Sequence, residues 1–104
     1  MTLRMAIVGT GGIANEHART AASVEGIELV AVCDISAEVA ELFAAAHHVD
    51  SFYTDVDSLV QAQEIDIAVV CTWGSLHAEV SNQLARSGRV RAVLCEKPIS
   101  LNAA

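Results

Sequence analysis

Basic charge is scarce in this chain. Its 104 residues include one lysine, Lys97, and six cationic side chains in all against thirteen aspartates and glutamates, for a formal net charge of −7. With no cationic stripe to neutralise a phosphate backbone, nucleic acid is not an expected partner. Long apolar runs are missing as well. None approaches the ~20 residues that a membrane-spanning helix needs. Met1-Thr2-Leu3-Arg4 leads into an apolar stretch and then a glycine turn, not into a cleavage site, so no signal peptide is read. No membrane association is expected, and a cytoplasmic location is. The three cysteines, Cys33, Cys71 and Cys95, form no C-x-x-C pair and each closes an apolar run. An odd number in that arrangement fits reduced, buried thiols and not a disulfide framework. Taken with His17, His47, His48 and His77 they lack ligand-like spacing, and no metal site is expected. Linkers, internal repeats and low-complexity segments are absent too. What the chain does have is 53% hydrophobic residues over a length that allows one domain at most. That composition suits a parallel sheet covered on both faces.

The chain is organised around Met5-Ala6-Ile7-Val8-Gly9-Thr10-Gly11-Gly12-Ile13-Ala14, an apolar strand that runs into a glycine-rich turn and then a helix. Read as G-x-G-x-x-G/A, Gly9 permits the tight turn, Gly11 lets the backbone approach a pyrophosphate, and Ala14 lets the helix lie close on the strand. The anion would rest on the free amide groups of the helix start. Tight strand-to-helix turns need glycine for steric reasons alone, so context decides. Glu28-Leu29-Val30-Ala31-Val32-Cys33 reads as a second strand, and Asp34 follows it, 20 residues after Ala14. A carboxylate there accepts hydrogen bonds from an adenosine ribose, which completes the dinucleotide fingerprint.

The rest of the chain alternates in the same way. The first strand spans Leu3 to Val8, and the helix after the glycines carries Ala14, Ala18, Ala21 and Ala22 as a small-residue face for close packing. Within that helix Arg19 is expected to face solvent. Ser36 is an N-cap for a helix with Val39, Leu42, Phe43 and Ala46 on its apolar stripe, ended by His47-His48. Ser51-Phe52-Tyr53 reads as a short third strand, and a short helix from Asp55 to Gln61 is capped by Asp55 or Asp57. Ile65 to Cys71 has the near-continuous apolar character of a central parallel strand. After Thr72-Trp73-Gly74-Ser75 comes a helix with Leu76, Val80 and Leu84 on one stripe and Gly88 as its stop. Ala92-Val93-Leu94-Cys95 is the fifth strand, and Ile99 onward begins another helix with Ser100 as a possible cap. Five strands alternating with helices predict an α/β, doubly wound parallel sheet of the Rossmann type, in the order 3-2-1-4-5. Its ligand crevice lies beyond the strand ends, between strands one and four. Gly9, Asp34, Thr72 and Glu96-Lys97 all fall at such ends.

With the glycine turn, Asp34, the segment Cys71-Thr72-Trp73-Gly74-Ser75-Leu76-His77-Ala78-Glu79 and Cys95-Glu96-Lys97-Pro98 in order, the sequence resembles the glucose–fructose oxidoreductase/inositol dehydrogenase (Gfo/Idh/MocA) family along essentially its whole length. The most specific part is Glu96-Lys97-Pro98 combined with T-x-x-x-x-H at the end of strand four. The resemblance implies an NAD(P)-binding domain followed, in whole members, by a second domain that receives a sugar or polyol. It implies that Lys97 contacts the nicotinamide ribose and the substrate hydroxyl and takes part in proton transfer, and that the bond before Pro98 is often cis. A positioned amine is suited to that task, since an oxygen at the reacting carbon must lose or gain a proton as hydride moves. The cofactor contacts expected are Gly9, Thr10, Gly11, Gly12, Ile13, Ala14, Asp34, Thr72, Trp73, His77, Glu96 and Lys97. His77 is either a cofactor or substrate contact or a polar residue of a helix's first turn. Trp73 stands where the family commonly has proline, and either stacks on the nicotinamide or packs beneath it. Asp34 accepts from a free 2′-hydroxyl and repels a 2′-phosphate, and neither Ile35 nor Ser36 supplies an offsetting arginine, so NAD is expected over NADP.

At this length the chain is expected to be the N-terminal cofactor domain of an oxidoreductase acting on CH–OH groups, incomplete at its C-terminal end. The sixth strand and the substrate domain would be absent, and the fragment alone would be inactive. A homo-oligomer is expected, with the apolar fifth strand as an edge ready to pair. The competing possibility is a non-catalytic module of the same fold that senses NAD(H) or mediates assembly, which needs Gly9 and Asp34 but not Lys97.

Overall fold

A computed structural model describes residues 2–10, 12–71 and 74–95, with residues 12, 74–79 and 95 placed by their backbone alone. Nine elements alternate along the chain: β1 (Leu3–Val8), α1 (Gly12–Ser23), β2 (Ile27–Cys33), α2 (Ala37–Ala46), β3 (Phe52–Tyr53), α3 (Val56–Ala62), β4 (Ile65–Val70), α4 (Gly74–Ser87) and β5 (Val90–Cys95). The strands form one sheet in the order β3-β2-β1-β4-β5, with every pair parallel. This is the order that alternation of strand and helix predicts.

Successive side chains of a strand point to opposite faces, and the two faces carry separate cores. Ala6, Val8, Ala31, Cys33, Ala68 and Val70 meet Val56, Leu59 and Val60 of α3 and Leu84 of α4. On the other face Met5, Ile7, Val32 and Val69 meet Ala14, Ala18 and Ala21 of α1, Phe43 and Ala44 of α2, and Val49. Removing a ring as large as Phe43 from such a layer costs about 3–5 kcal/mol.

A bulge in β2 sets the level of the site. Met5 stands opposite Leu29, but Ala6 stands opposite Ala31, so Val30 is the extra residue and leans toward the α3/α4 core beside Ala31. The insertion brings Cys33 level with Val8. Without it Val8 would face Val32, and Asp34 would stand one residue farther out.

Some boundaries and faces differ from the sequence expectation. β2 begins one residue earlier, at Ile27, and β5 two residues earlier, because Val90 pairs with Ile65. α3 starts at Val56, and its N-cap is Asp55, whose carboxylate accepts from Ser58 N–H at 2.7 Å. On α1 the buried stripe is Ala14, Ala18 and Ala21, whereas Ala22 is exposed. On α2, Ser36 is the N-cap and Phe43 is buried as expected, but Ala40 and Ala44 complete the buried face. Val39, Leu42 and Ala46 look outward. The two alanines flank Phe43 at i−3 and i+1, so the helix seats its ring and rests on its smallest side chains. Gly88 has φ +67 immediately after α4, the left-handed stop that glycine supplies most cheaply.

Candidate functional site

All five strands end in one row. Tyr53, Cys33, Val8, Val70 and Cys95 are neighbours across the sheet through the pairs Tyr53–Cys33, Cys33–Val8, Val8–Val70 and Val70–Cys95. The residues that follow them share one rim, and the winding reverses there between β1 and β4. In open α/β sheets this is the ligand crevice.

At the end of β1, Gly9 has φ +90, a conformation that costs a residue with a Cβ dearly. Its N–H donates to the Cys33 carbonyl at 2.7 Å, which ties the turn to the tip of β2. Across the switch point Cys71 N–H donates to the Val8 carbonyl at 2.8 Å. The chain re-enters a helix at Gly12. Two residues on, Ala14 is fully buried, so α1 lies close on the sheet, while Ile13 is 42% exposed. The first amide groups of such a helix have no acceptor within it and point toward the rim.

Asp34 stands at the tip of β2, held by its own N–H to the Tyr53 carbonyl at 3.0 Å. Thr10 donates twice to its Oδ2, from N–H at 3.0 Å and from Oγ–H at 2.7 Å. Ser36 N–H donates to Oδ1 at 3.0 Å, an Asx turn that also delivers Ser36 to its capping position. Partial burial, the largest single influence, pushes the Asp34 pKa up. The hydrogen bonds from Ser36 N–H, Thr10 Oγ–H and Thr10 N–H outweigh it and hold the carboxyl below its ordinary value. Asp34 is therefore a fixed anion at neutral pH.

Behind it the Cys33 thiol is pushed up to about 12 by burial and by the charges of Asp55 and Asp34. Such a thiol is a poor nucleophile at neutral pH. Among the described residues no group of three or more His, Cys, Asp or Glu is arranged to hold a metal ion, and no helix is long and apolar enough to cross a membrane.

Of the residues singled out in the sequence, Gly9, Thr10, Gly12, Ile13, Ala14 and Asp34 come together at this rim. The backbone of His77 lies in the first turn of α4, which follows β4. Gly11, Thr72, Trp73, Glu96, Lys97 and the bond before Pro98 lie outside the described residues. Arg19 pairs with Glu16 at 2.7 Å, both well exposed. Two contacts were not legible in the sequence. One is the grip of Thr10 on Asp34, for which the only signal is a hydroxyl in the spacer position of the glycine motif. The other is a 2.7 Å hydrogen bond between His47 Nε2 and Asn15 Oδ1. It ties the end of α2 to the first turn of α1, with the His47 ring centroid 4.5 Å from that of Phe43.

The residues present fit an adenine dinucleotide. They combine a left-handed glycine turn, a helix start set close to the sheet by a fully buried alanine, and a carboxylate acceptor held ionised at the same rim.

Comparison with known proteins agrees. A family model described as "Oxidoreductase family, NAD-binding Rossmann fold" (Gfo/Idh/MocA) matches residues 3–104. An inositol 2-dehydrogenase of Rhizobium meliloti (strain 1021) is 36% identical over 103 residues, covering 99% of this chain and 30% of that protein. Among solved structures, the myo-inositol 2-dehydrogenase of Lactobacillus plantarum superposes with a TM-score of 0.81 at 28% identity, over 99% of this chain and 30% of the other. The WlbA dehydrogenase of Bordetella pertussis, solved with NADH and UDP-GlcNAcA, gives a TM-score of 0.85 at 27% identity, over 96% of this chain and 30% of the other. The chain thus spans about 30% of the length of these relatives. Sequence motif, sheet order, rim geometry and family match converge: the chain belongs to the Gfo/Idh/MocA oxidoreductase family and forms its NAD-binding Rossmann fold.

Proposed function

We infer that this chain is the nucleotide-binding part of an NAD-dependent oxidoreductase that acts on CH–OH groups of a polyol or sugar. The observation that carries it is the ionised, thrice-bonded carboxylate of Asp34 at the same rim as the Gly9 turn. Relatives named as inositol 2-dehydrogenases support the substrate class. When bound, the nicotinamide supplies the hydride chemistry. The work of the chain is to bind and orient. On this reading the first-turn amides of α1 would hold the pyrophosphate and Asp34 would accept from the adenosine ribose, with Thr72, Trp73, His77, Glu96 and Lys97 as the further cofactor contacts that the family resemblance implies. Lys97 moves the proton at the substrate oxygen. A homo-oligomer is the assembly proposed for the whole protein, and the β5 edge bears only on association of the 104-residue chain itself.

Asp34 also sets the choice of cofactor. An anion fixed at this position repels a 2′-phosphate, and Ile35 and Ser36 bring no cation to offset it. Calorimetric titration with NADH and NADPH tests this. NADH should bind at least about tenfold more tightly, and Asp34→Ala should cost NADH roughly 10–100-fold, the range of a hydrogen bond to a charged group. Equal affinities for the two nucleotides, or tighter NADPH, would refute it. In the enzyme to which this part belongs, Lys97→Ala should lower turnover about 10²–10⁴-fold, the worth of one proton-transfer group, with a much smaller loss of NADH affinity. Undiminished turnover would remove Lys97 from the chemistry.

A further inference from the structure

A carboxylate offers about four lone-pair positions, and three of those on Asp34 are taken. Two of the three donors belong to Thr10. Its N–H comes with the turn whatever the side chain, but the Oγ–H at 2.7 Å is a choice of residue. Among the described residues Thr10 is also the one buried polar residue, 9% exposed, so its hydroxyl has little access to water as an alternative partner. The terminal torsion of an aspartate is broad and soft when nothing restrains it. Here Oδ1 is held by Ser36 N–H and Oδ2 by both donors of Thr10, across 24 positions of sequence.

We propose that Thr10 is a positioning residue, whose hydroxyl presets the Asp34 carboxylate so that a position on Oδ1 taken by none of the described donors faces a ribose hydroxyl. The spacer of the glycine motif thereby couples the phosphate turn to the ribose site, so that the two halves of adenosine diphosphate recognition are built as one unit. The gain comes from preorganisation: a carboxylate already fixed loses little freedom when ligand arrives. The inference rests on Asp34 being the ribose acceptor.

The test uses the 104-residue chain, titrated with ADP and with 2′-deoxy-ADP and followed by amide NMR shifts. Wild type should prefer ADP. Thr10→Val, which keeps the shape and removes the hydroxyl, should weaken ADP about 3–10-fold while 2′-deoxy-ADP changes less than about twofold. Thr10→Ser should retain the wild-type preference. In a second measurement, the ¹³C shift of the Asp34 carboxyl followed against pH should titrate at higher pH in Thr10→Val than in wild type. Equal weakening of both ligands would mean that the turn has merely been disturbed, and tighter ADP binding would mean that the hydroxyl competes with ribose. Either result overturns the proposal. Should Thr10→Val not fold, loss of the ADP preference in Thr10→Ser overturns it equally. If wild type itself binds the two nucleotides alike, the ribose role of Asp34 fails. If wild type discriminates and Thr10→Val discriminates as well, only the role of Thr10 fails.

Discussion

Asp34 and Cys33 are adjacent in sequence and opposite in chemistry, because β2 ends between them. Cys33 is the last residue of the strand, turned into the α3/α4 core, and Asp34 is the first residue beyond it, where three donors reach its carboxylate. The pH dependence follows in sign. A carboxyl whose folded pKa lies below its ordinary value of 3.8 contributes stability that is complete above that value and lost as pH falls through the folded pKa. The stability gap between wild type and Asp34→Asn, measured by urea denaturation, should therefore be constant from pH 7 to about 5 and narrow below about 4. A gap that widens in acid would contradict the assigned hydrogen bonds. For Cys33, burial pushes the pKa up to about 12, which leaves very little thiolate at pH 8. Peptide mapping after brief iodoacetamide treatment of the folded chain at pH 8 should show Cys33 unmodified, and rapid labelling there would disprove its enclosure.

At the level of elements, α2 shows where periodicity stops being informative. Its sequence, Ala37-Glu38-Val39-Ala40-Glu41-Leu42-Phe43-Ala44-Ala45-Ala46, is apolar around most of its circumference. Both the Val39/Leu42/Phe43/Ala46 stripe and the Ala40/Phe43/Ala44 stripe satisfy a helical spacing. Packing chose the second, because the helix comes closest to β2 and β3 through alanines beside one large ring. The end of α2 was legible in part. His47 is its C-cap, as the His47-His48 pair implied, but His48 also takes φ +58. The N–H groups of His48 and Val49 then donate to the carbonyls of Ala45 and Ala44 at 3.4 and 2.8 Å, the paired bonds of a Schellman ending. A side chain with a Cβ is strained in that conformation, so His48→Gly should stabilise the chain by about 0.5–1 kcal/mol. That corresponds to a rise in Tm of roughly 2–6 °C in calorimetry. The same substitution at His47 should destabilise, since His47 sits outside the left-handed region and holds Asn15.

Across the whole molecule, topology was the most legible feature and cross-chain polar contacts the least. Runs such as Ile65–Val70 and the short links between elements admit few arrangements, and the glycine fingerprint selects among them the order β3-β2-β1-β4-β5 that the sheet shows. The bonds Thr10–Asp34 and His47–Asn15 join residues 24 and 32 positions apart, and the bulge at Val30 that brings the strand ends level leaves no mark in composition. Such features exist only once the sheet has closed. The sheet also has a consequence for association. β5 is its outer strand beside β4. Its face on the α1 side carries Leu94, 51% exposed opposite the buried Val69, and the exposed Ala92 opposite Ile67. On its other face Val93 packs against the core that includes Leu84. Among the described residues β5 has a partner strand on one side only, and an edge strand with an apolar face is a template for pairing; Arg89 just before it and Arg91 within it place charge only at its beginning. The 104-residue chain should therefore associate reversibly as concentration rises in sedimentation-velocity runs. Leu94→Lys, which places a charge on the open face, should shift the distribution toward monomer at equal concentration while leaving Tm within a few degrees. A wild-type chain that stays monomeric at several milligrams per millilitre, or a Leu94→Lys chain that associates as strongly, would show that β5 is not the surface through which copies meet.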